Sequence, residues 1–410
     1  MRHIAILGGG PVGLEAALAA LESGHSFTLY EAASGVAGNV RSWGHVQLFT
    51  PWSMNVSPRA RRALESAGRV VPDGDECPTG GELVERVFEP LAELPDLASH
   101  LRCGTRVLEV GREGLLKSEE IGTGGRQGRR FRLLLRNPDG SESVEYADVV
   151  LDCTGTYDRP NALGAGGIRA PGEEASEEYI IRRIPEVQAP SLSGEAPGWG
   201  GQRILLVGAG HSAQTAARDL ADLIERVPDT SVVWAIRSSD PTFGAVADDV
   251  LPMRDALVRR ARELAMGAAS PLDVRLGRSV ESLHPSPEGI HVTLRTVDGD
   301  TEEVIVDRII SLTGAVGDAR MYRQLQVHEC YATSGPMKLA AALLASSSAD
   351  CLTEQSHGAD TLKNPEPDFY ILGMKSYGRN ASFLMRVGWE QVDEVFFLLD
   401  AAAGAASGSV

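Results

Sequence analysis

The run Ile4-Ala5-Ile6-Leu7-Gly8-Gly9-Gly10-Pro11-Val12-Gly13 constrains this chain more than any other. A short apolar stretch suited to a buried strand ends in Gly-x-Gly-x-x-Gly. It passes straight into Leu14-Glu15-Ala16-Ala17-Leu18-Ala19-Ala20-Leu21, which is strongly helical. Each glycine answers a separate demand: Gly8 permits the tight turn out of the strand, Gly10 lets backbone approach a pyrophosphate, and Gly13 lets helix and strand pack closely. Pro11 suits the first helical turn, where a missing N–H is no loss. The free N–H groups and dipole of that helix then face phosphate. Next, Ser26-Phe27-Thr28-Leu29-Tyr30-Glu31 reads as a second strand ending in an acid. Glu31 stands about 20 residues beyond the turn, where a carboxylate accepts hydrogen bonds from ribose hydroxyls.

The pattern returns. Arg203-Ile204-Leu205-Leu206-Val207-Gly208-Ala209-Gly210-His211-Ser212-Ala213 is again strand, glycine turn and helix start, with helix over 214–223 and a strand over 231–237. Each half continues into an antiparallel section. In the first it comprises 105–110, 131–136 and 144–146, turning at Asn137-Pro138-Asp139-Gly140. In the second it comprises 272–276, 289–296 and 302–306. Each half then closes on an apolar strand that leaves through Thr-Gly, at Thr154-Gly155 and at Thr313-Gly314. This is an internal duplication. It predicts an α/β chain of two Rossmann-like domains with antiparallel β-meander insertions, each domain with its own dinucleotide. The expected boundaries are 1–165 for the first part of one domain, 198–320 for the other, and 321–410 for a return to the first. A length of 410 residues is enough for two such cores.

The second half differs from the first where a second nucleotide would require it. Ala213 replaces the third glycine, a change the fingerprint tolerates. Its second strand ends not in an acid but in Arg237-Ser238-Ser239. An acid there holds a free 2′-hydroxyl, whereas a guanidinium binds a 2′-phosphate by paired hydrogen bonds. The residues therefore favour NADPH on Gly208, Gly210, His211, Ser212, Ala213 and Arg237; the alternative is an exposed strand-end arginine. His211 is expected beside the phosphates, as a cation or as a helix cap.

Elsewhere, 40–52 holds two tryptophans without helical periodicity and reads as a long functional loop. Helices are expected over 58–67 and 80–94, the latter capped by Thr79. The Gly/Arg-rich stretch 122–130 reads as a mobile loop tip, and the Gly/Pro/Glu-rich stretch from 160 to 197 as linker. Pro367-Asp368-Phe369-Tyr370-Ile371-Leu372-Gly373 is a strand with a glycine exit, followed by a helix over 383–399 and a frayed tail. The start of that helix, aimed at a flavin, would stabilise negative charge on the reduced ring; its apolar face equally suits packing.

The charge balance of 56 acidic to 39 basic residues argues against nucleic-acid or anionic-membrane partners. No apolar run is long enough to span a membrane. A strand starting within three residues of Met1 is expected to leave no room for a signal peptide. Five widely spaced cysteines form no C-x-x-C pair, so no redox dithiol or zinc knuckle is expected; they suit a reducing cytoplasm. His328 and Cys330 are too few for a metal site.

Together these residues resemble the flavoproteins with two dinucleotide-binding domains, the superfamily of glutathione reductases, thioredoxin reductases and flavin-containing monooxygenases. The resemblance covers nearly the whole chain. It rests on Gly8, Gly10, Gly13 and Ala17 with Glu31, on Cys153-Thr154-Gly155, on Gly208, Gly210, Ala213 and Ala217, and on 368–373. It implies FAD at the first turn and NADPH at the second, with Pro11, Thr154, Gly155 and Gly373 along the FAD and the Val107 backbone beside its adenine. Disulfide reductases need a dithiol that this chain lacks. Gly38, Trp43 and Val46-Gln47-Leu48-Phe49-Thr50-Pro51 are similar to the flavin-side loop of flavin-containing and Baeyer–Villiger monooxygenases. Two positions depart from that pattern: Phe49 stands where those families carry Asn or Asp, and their Phe-x-Gly-x-x-x-His fingerprint is missing from 181–186. The resemblance implies an NADPH-dependent monooxygenase that passes oxygen from a flavin C4a-hydroperoxide to a small organic molecule. The alternatives are an NAD(P)H oxidase or quinone-type acceptor reductase without a redox disulfide, and a non-catalytic redox-sensing flavoprotein. Thr50 is the flavin-side residue the resemblance supports. Trp43, Asn55 and Arg386 are candidates by position alone, with core or surface roles as the alternative.

Overall fold

The computed structural model describes residues 2–188, 198–345, 352 and 354–407. It divides into two compact units, one made of Met1–Arg159 and Val316–Val410, the other of Pro160–Ala315.

The first unit is built on a parallel sheet of β1 (His3–Leu7), β2 (Ser26–Tyr30), β3 (Leu101–Arg102), β7 (Val149–Asp152) and β16 (Phe369–Ile371), in the order β16-β7-β1-β2-β3. Strands buried on both faces read as continuous apolar runs, which is why β1 and β7 were visible in the sequence. Alternation along β1 then decides what covers each face. Ile4 and Ile6 pack with Val12 and Leu14 of helix Pro11–Glu22 and with Val387 and Val392 of helix Met385–Ser407. Ala5 and Leu7 face the antiparallel meander of β4 (Arg106–Arg112), β5 (Phe131–Arg136) and β6 (Glu142–Ala147), meeting Phe131, Leu133 and Leu135.

The second unit repeats this plan. Its parallel sheet contains β8 (Ile180–Ile181), β9 (Arg203–Val207), β10 (Ser231–Ile236), β11 (Asp273–Leu276) and β15 (Arg308–Ser311), in the order β11-β10-β9-β15-β8. Its meander is β12 (Ser279–Ser286), β13 (Gly289–Arg295) and β14 (Thr301–Val306). Helices His211–Arg226 and Pro252–Met266 pack against the other face. In both units the Thr-Gly strand sits beside the strand that carries the glycine turn, with one edge strand beyond it. The edge strands have different origins: β16 comes from the chain after the inserted unit, β8 from just before β9.

Several expectations are corrected. The stretch from 160 is no linker as far as 188; residues 189–197 lie outside the described residues. The carboxylate of Glu173, 2% exposed, accepts the N–H groups of Leu163 and Ala170 and pairs with Arg182. That ordering leads the chain into β8. The first meander strand of the second unit is β12, not 272–276, which belongs to the parallel sheet as β11. A bulge between Val280 and Ser282 breaks the alternation that would have marked β12. Helix Pro252–Met266 adds to the expected elements, with Leu257, Val258, Ala261 and Leu264 at helical spacing. The helix expected over 80–94 is α-helical at Gly80–Leu83, with a Thr79/Glu82 capping box, passes through a π turn at Val84–Phe88, and resumes at Glu89–Ala92. The last helix continues to Ser407, past the expected start of fraying.

The stretch 122–130 is also tied down. Arg126 is 1% exposed. Its Nε and Nη2 donate to Glu366, and its Nη1 donates to the carbonyls of Leu116 and Glu119 at 3.0 Å each. A basic loop composition says nothing about one arginine turning inward to a distant carboxylate.

Candidate dinucleotide sites

At the first turn Gly8 has φ +97°, and a Cβ there would stand 2.7 Å from the Cys153 carbonyl oxygen. A Cβ on Gly13 would stand 1.9 Å from the Gly8 carbonyl oxygen. Both positions exclude any larger residue. Gly10 is different, because a Cβ there meets nothing within 4 Å. It caps helix Pro11–Glu22 with no side chain bonded to the helix N-terminus. The turn is closed by packing at Gly8 and Gly13 and open at Gly10, the geometry an approaching phosphate requires.

Glu31 follows β2 directly. Its carboxylate accepts the N–H of Gly9 at 2.6 Å and of Ala33 at 2.8 Å, which fixes it against the turn with lone pairs to spare for hydroxyl donors. The Thr105 N–H donates to the Glu31 carbonyl and the Gly104 N–H to that of Ala33, drawing the start of β4 alongside. Val107 lies there, where the register with β5 shifts. On the other side of β1, Thr154 donates through Oγ1 to Asp152 Oδ1 at 2.7 Å, and Gly155 has φ +68° with open space where a Cβ would go. Gly373, φ +72°, donates its N–H to Gln391 Oε1 and packs on Val12. Gly8, Glu31, Thr154 and Gly373 therefore gather at the carboxyl ends of β1, β2, β7 and β16.

The four residues expected around a flavin fare differently. Thr50 donates to Asn55 Oδ1 at 2.9 Å, while Asn55 Nδ2 donates to the carbonyls of Thr50 and Pro51. Asn55, 2% exposed, has both ends of its amide engaged in holding the loop. Arg386 pairs with Glu390 on its own helix and donates to the Glu354 carbonyl. Trp43 packs its ring on Gly80 and stacks on Tyr157, with centroids 6.4 Å apart. Trp43 Nε1 and His45 Nε2 are shut off from solvent without a hydrogen-bond partner among the described residues. Buried polar atoms without partners are costly, and a ligand bound against this loop would satisfy the pair. His45 carries no sequence signal that would have singled it out. The open cradle at Gly10, the anchored Glu31 and these orphaned ring nitrogens fit FAD.

The second turn has the same form. Gly208, φ +131°, would place a Cβ 2.3 Å from the Leu312 carbonyl oxygen, and Gly210 is open. Ala213 is fully buried, so its methyl fits where the first turn needs Gly13. Ser212 is exposed on the first helical turn. Burial holds the His211 imidazolium below its ordinary pKa, helped by the Arg254 guanidinium and opposed by Asp249. That favours a neutral ring over the cation allowed for above. Arg254 itself is clasped by Asp249 through two bonds of 2.6 and 2.7 Å. Arg237 is exposed at the end of β10 and makes no hydrogen bond or ion pair among the described residues. Its fork is free for a phosphate, and the site fits NADPH.

Cys77, Cys103, Cys153 and Cys330 are free thiols; Cys351 lies outside the described residues. Burial, with the Asp152 carboxylate next to it, pushes the Cys153 thiol well above its ordinary pKa. No metal-binding cluster occurs among the described residues, and none of their helices is long and apolar enough to cross a membrane.

Residues 6–65 match a family model described as an NAD(P)-binding Rossmann-like domain. Flavin-containing monooxygenase FMO GS-OX-like 2 of Arabidopsis thaliana is 26% identical over 248 residues, 55% of this chain and 48% of that protein. The chain spans less than half the length of the curated relatives it matches. Among solved structures, the bacillithiol disulfide reductase Bdr of Bacillus cereus aligns with a TM-score of 0.68 at 18% identity, covering 98% of this chain and 99% of that one. The ornithine hydroxylase of Pseudomonas aeruginosa aligns at 0.63 and 14% identity, with the same coverage. With two glycine turns on two equivalent sheets, the chain shares the overall fold of these solved structures, and its first turn lies in the matched NAD(P)-binding Rossmann-like segment.

Proposed function

We propose that this chain is an FAD-dependent, NADPH-using oxidoreductase, and specifically a monooxygenase of a small organic molecule with O2 as co-substrate. The observation that carries this reading is the pair of turns, each packed shut at its first glycine and open at its second, in a chain whose described cysteines form no dithiol. When bound, FAD accepts hydride from NADPH and delivers electrons to O2. This chain's residues do the rest. The turn at Gly8–Gly13 and the N–H groups behind it hold one pyrophosphate, and Glu31 holds a ribose. Trp43 Nε1 supplies a donor at the flavin, and Asn55 fixes Thr50 within the following stretch of the same loop. Gly208, Gly210 and Arg237 hold the second nucleotide.

Cys153 is a poor nucleophile for the disulfide reductase reading prompted by Bdr. Its thiol lies beside the first turn, but a raised pKa leaves it little thiolate for attack on a disulfide. Anaerobic reduction by NADPH followed by rapid mixing with O2 tests the proposal. A delayed return of oxidised flavin through a distinct near-ultraviolet band, with peroxide released only as that band decays, is the expected result. Immediate reoxidation with one peroxide per NADPH would make the protein an oxidase, and no reduction by either nicotinamide would make it a sensor.

The nucleotide choice has its own test. Charged hydrogen bonds to a phosphate are worth about 1.5–3 kcal/mol, or roughly ten- to a hundredfold in affinity. Arg237→Glu is expected to raise KM for NADPH by about that factor and leave KM for NADH little changed. An unchanged NADPH/NADH preference would remove Arg237 from the site.

A further inference from the structure

We infer that the buried ion pair of Lys375 and Asp152 is a positioning device for the first dinucleotide, acting through Thr154; the inference rests on FAD occupying the first turn. Lys375 lies in the short turn Gly373–Tyr377 behind β16 and is 3% exposed; Asp152 ends β7 and is fully buried. The ammonium has three donors, and each has an acceptor: Asp152 Oδ2 at 2.6 Å, the Asp318 carbonyl at 2.8 Å and Thr154 Oγ1 at 3.1 Å. The other carboxylate oxygen, Asp152 Oδ1, accepts from Thr154 Oγ1 at 2.7 Å and from its N–H at 3.2 Å. The Tyr322 ring faces the ammonium at 5.0 Å. Gly317 lies against the lysine methylenes, so closely that a Cβ there would meet Lys375 Cγ at 2.3 Å.

Thr154 is thereby held at both its hydroxyl and its N–H. The residue before it presses its carbonyl on Gly8, and the residue after it is the open Gly155. The ion pair thus fixes the backbone that faces the glycine turn across β1 and β7. A buried ion pair is often no more stabilising than apolar side chains of the same volume, so its presence here is better explained by orientation than by stability. Nothing in the sequence joins Lys375 to Asp152, which are 223 positions apart.

Two variants test this, each compared with wild type for FAD affinity by fluorescence titration of apoprotein, for the flavin midpoint potential, and for denaturation midpoint without FAD. Thr154→Val removes the hydroxyl at constant shape. The double variant Asp152→Asn with Lys375→Met removes both charges and leaves neither one buried alone. Loss of one or two buried hydrogen bonds at the loop predicts FAD binding weaker by roughly tenfold or more in each. The potential shifts as well, while the apoprotein of Thr154→Val, with Lys375 and Asp152 each one hydrogen bond short, still folds at a lowered midpoint. FAD affinity within about twofold of wild type in Thr154→Val overturns the inference even if the double variant fails to fold. Wild-type apoprotein that takes up no FAD overturns the reading of the first turn, and the inference with it.

Discussion

Glu366→Ala is expected to lower the stability of the first unit by roughly 3–5 kcal/mol, the cost of removing one member of a buried ion cluster. Glu366 and Arg112 have no exposed side-chain surface, and Arg126 has 2%. Arg112 donates from Nε to the carboxylate at 2.6 Å, lies over the Phe131 ring, and reaches the carbonyls of Arg129 and Pro367. The N–H of Gln326 donates to the same carboxylate at 2.7 Å. Without Glu366, two guanidinium groups stay buried and lose the carboxylate they share. Burial alone would raise the pKa of Glu366, but the bonds from Arg126, Arg112 and Gln326 outweigh it and hold it below 4.5. Its contribution is therefore complete above that ordinary value and is lost as the pH falls through the lowered one. Denaturation midpoints of wild type and variant should converge under acid conditions. Hydrogen exchange should report the loop at 113–130 opening first. A variant as stable as wild type at pH 7 would refute this account of the cluster.

The second large effect separates binding from folding. Gly10→Val adds its side chain where the protein has no atoms within 4 Å, at a backbone φ of −80° and ψ of −171° that any residue adopts. The apoprotein should keep its denaturation midpoint. The branched side chain occupies the phosphate cradle, and an overpacking cost of about 1–3 kcal/mol corresponds to roughly ten- to a hundredfold weaker FAD binding. Gly13→Val is the contrast: its Cβ would collide with the Gly8 carbonyl, so the fold should fail before binding is measured. If Gly10→Val binds FAD as wild type does, the cofactor does not lie on this turn.

What was legible in the sequence follows from how local each signal is. The turns at Gly8 and Gly208 are contiguous patterns, and β1 and β7 are apolar runs, so the duplicated sheets were readable. The two-residue edge strands β3 and β8 were not, because a sheet edge is chosen by a neighbouring strand rather than by its own residues. Position alone makes Asn55 a candidate, but its clamp on Thr50 shows only once the loop closes. Arg126, Lys375 and His45 were out of reach for the same reason. A charge turned inward toward a partner hundreds of positions away has the same letter as one facing water.

The edge strand β16 has a consequence for synthesis of the chain. All strands of the second unit lie between Ile180 and Ser311, so that unit is complete while residues 369–371 are still unmade. Nascent chains ordinarily mature from the N-terminus onward. Here the domain encoded in the middle can finish first, while β7 waits as a bare parallel edge, the kind of surface that recruits other strands. The glycine turn at Gly8, made before every strand of the second unit, would gain its complete surroundings only after that unit.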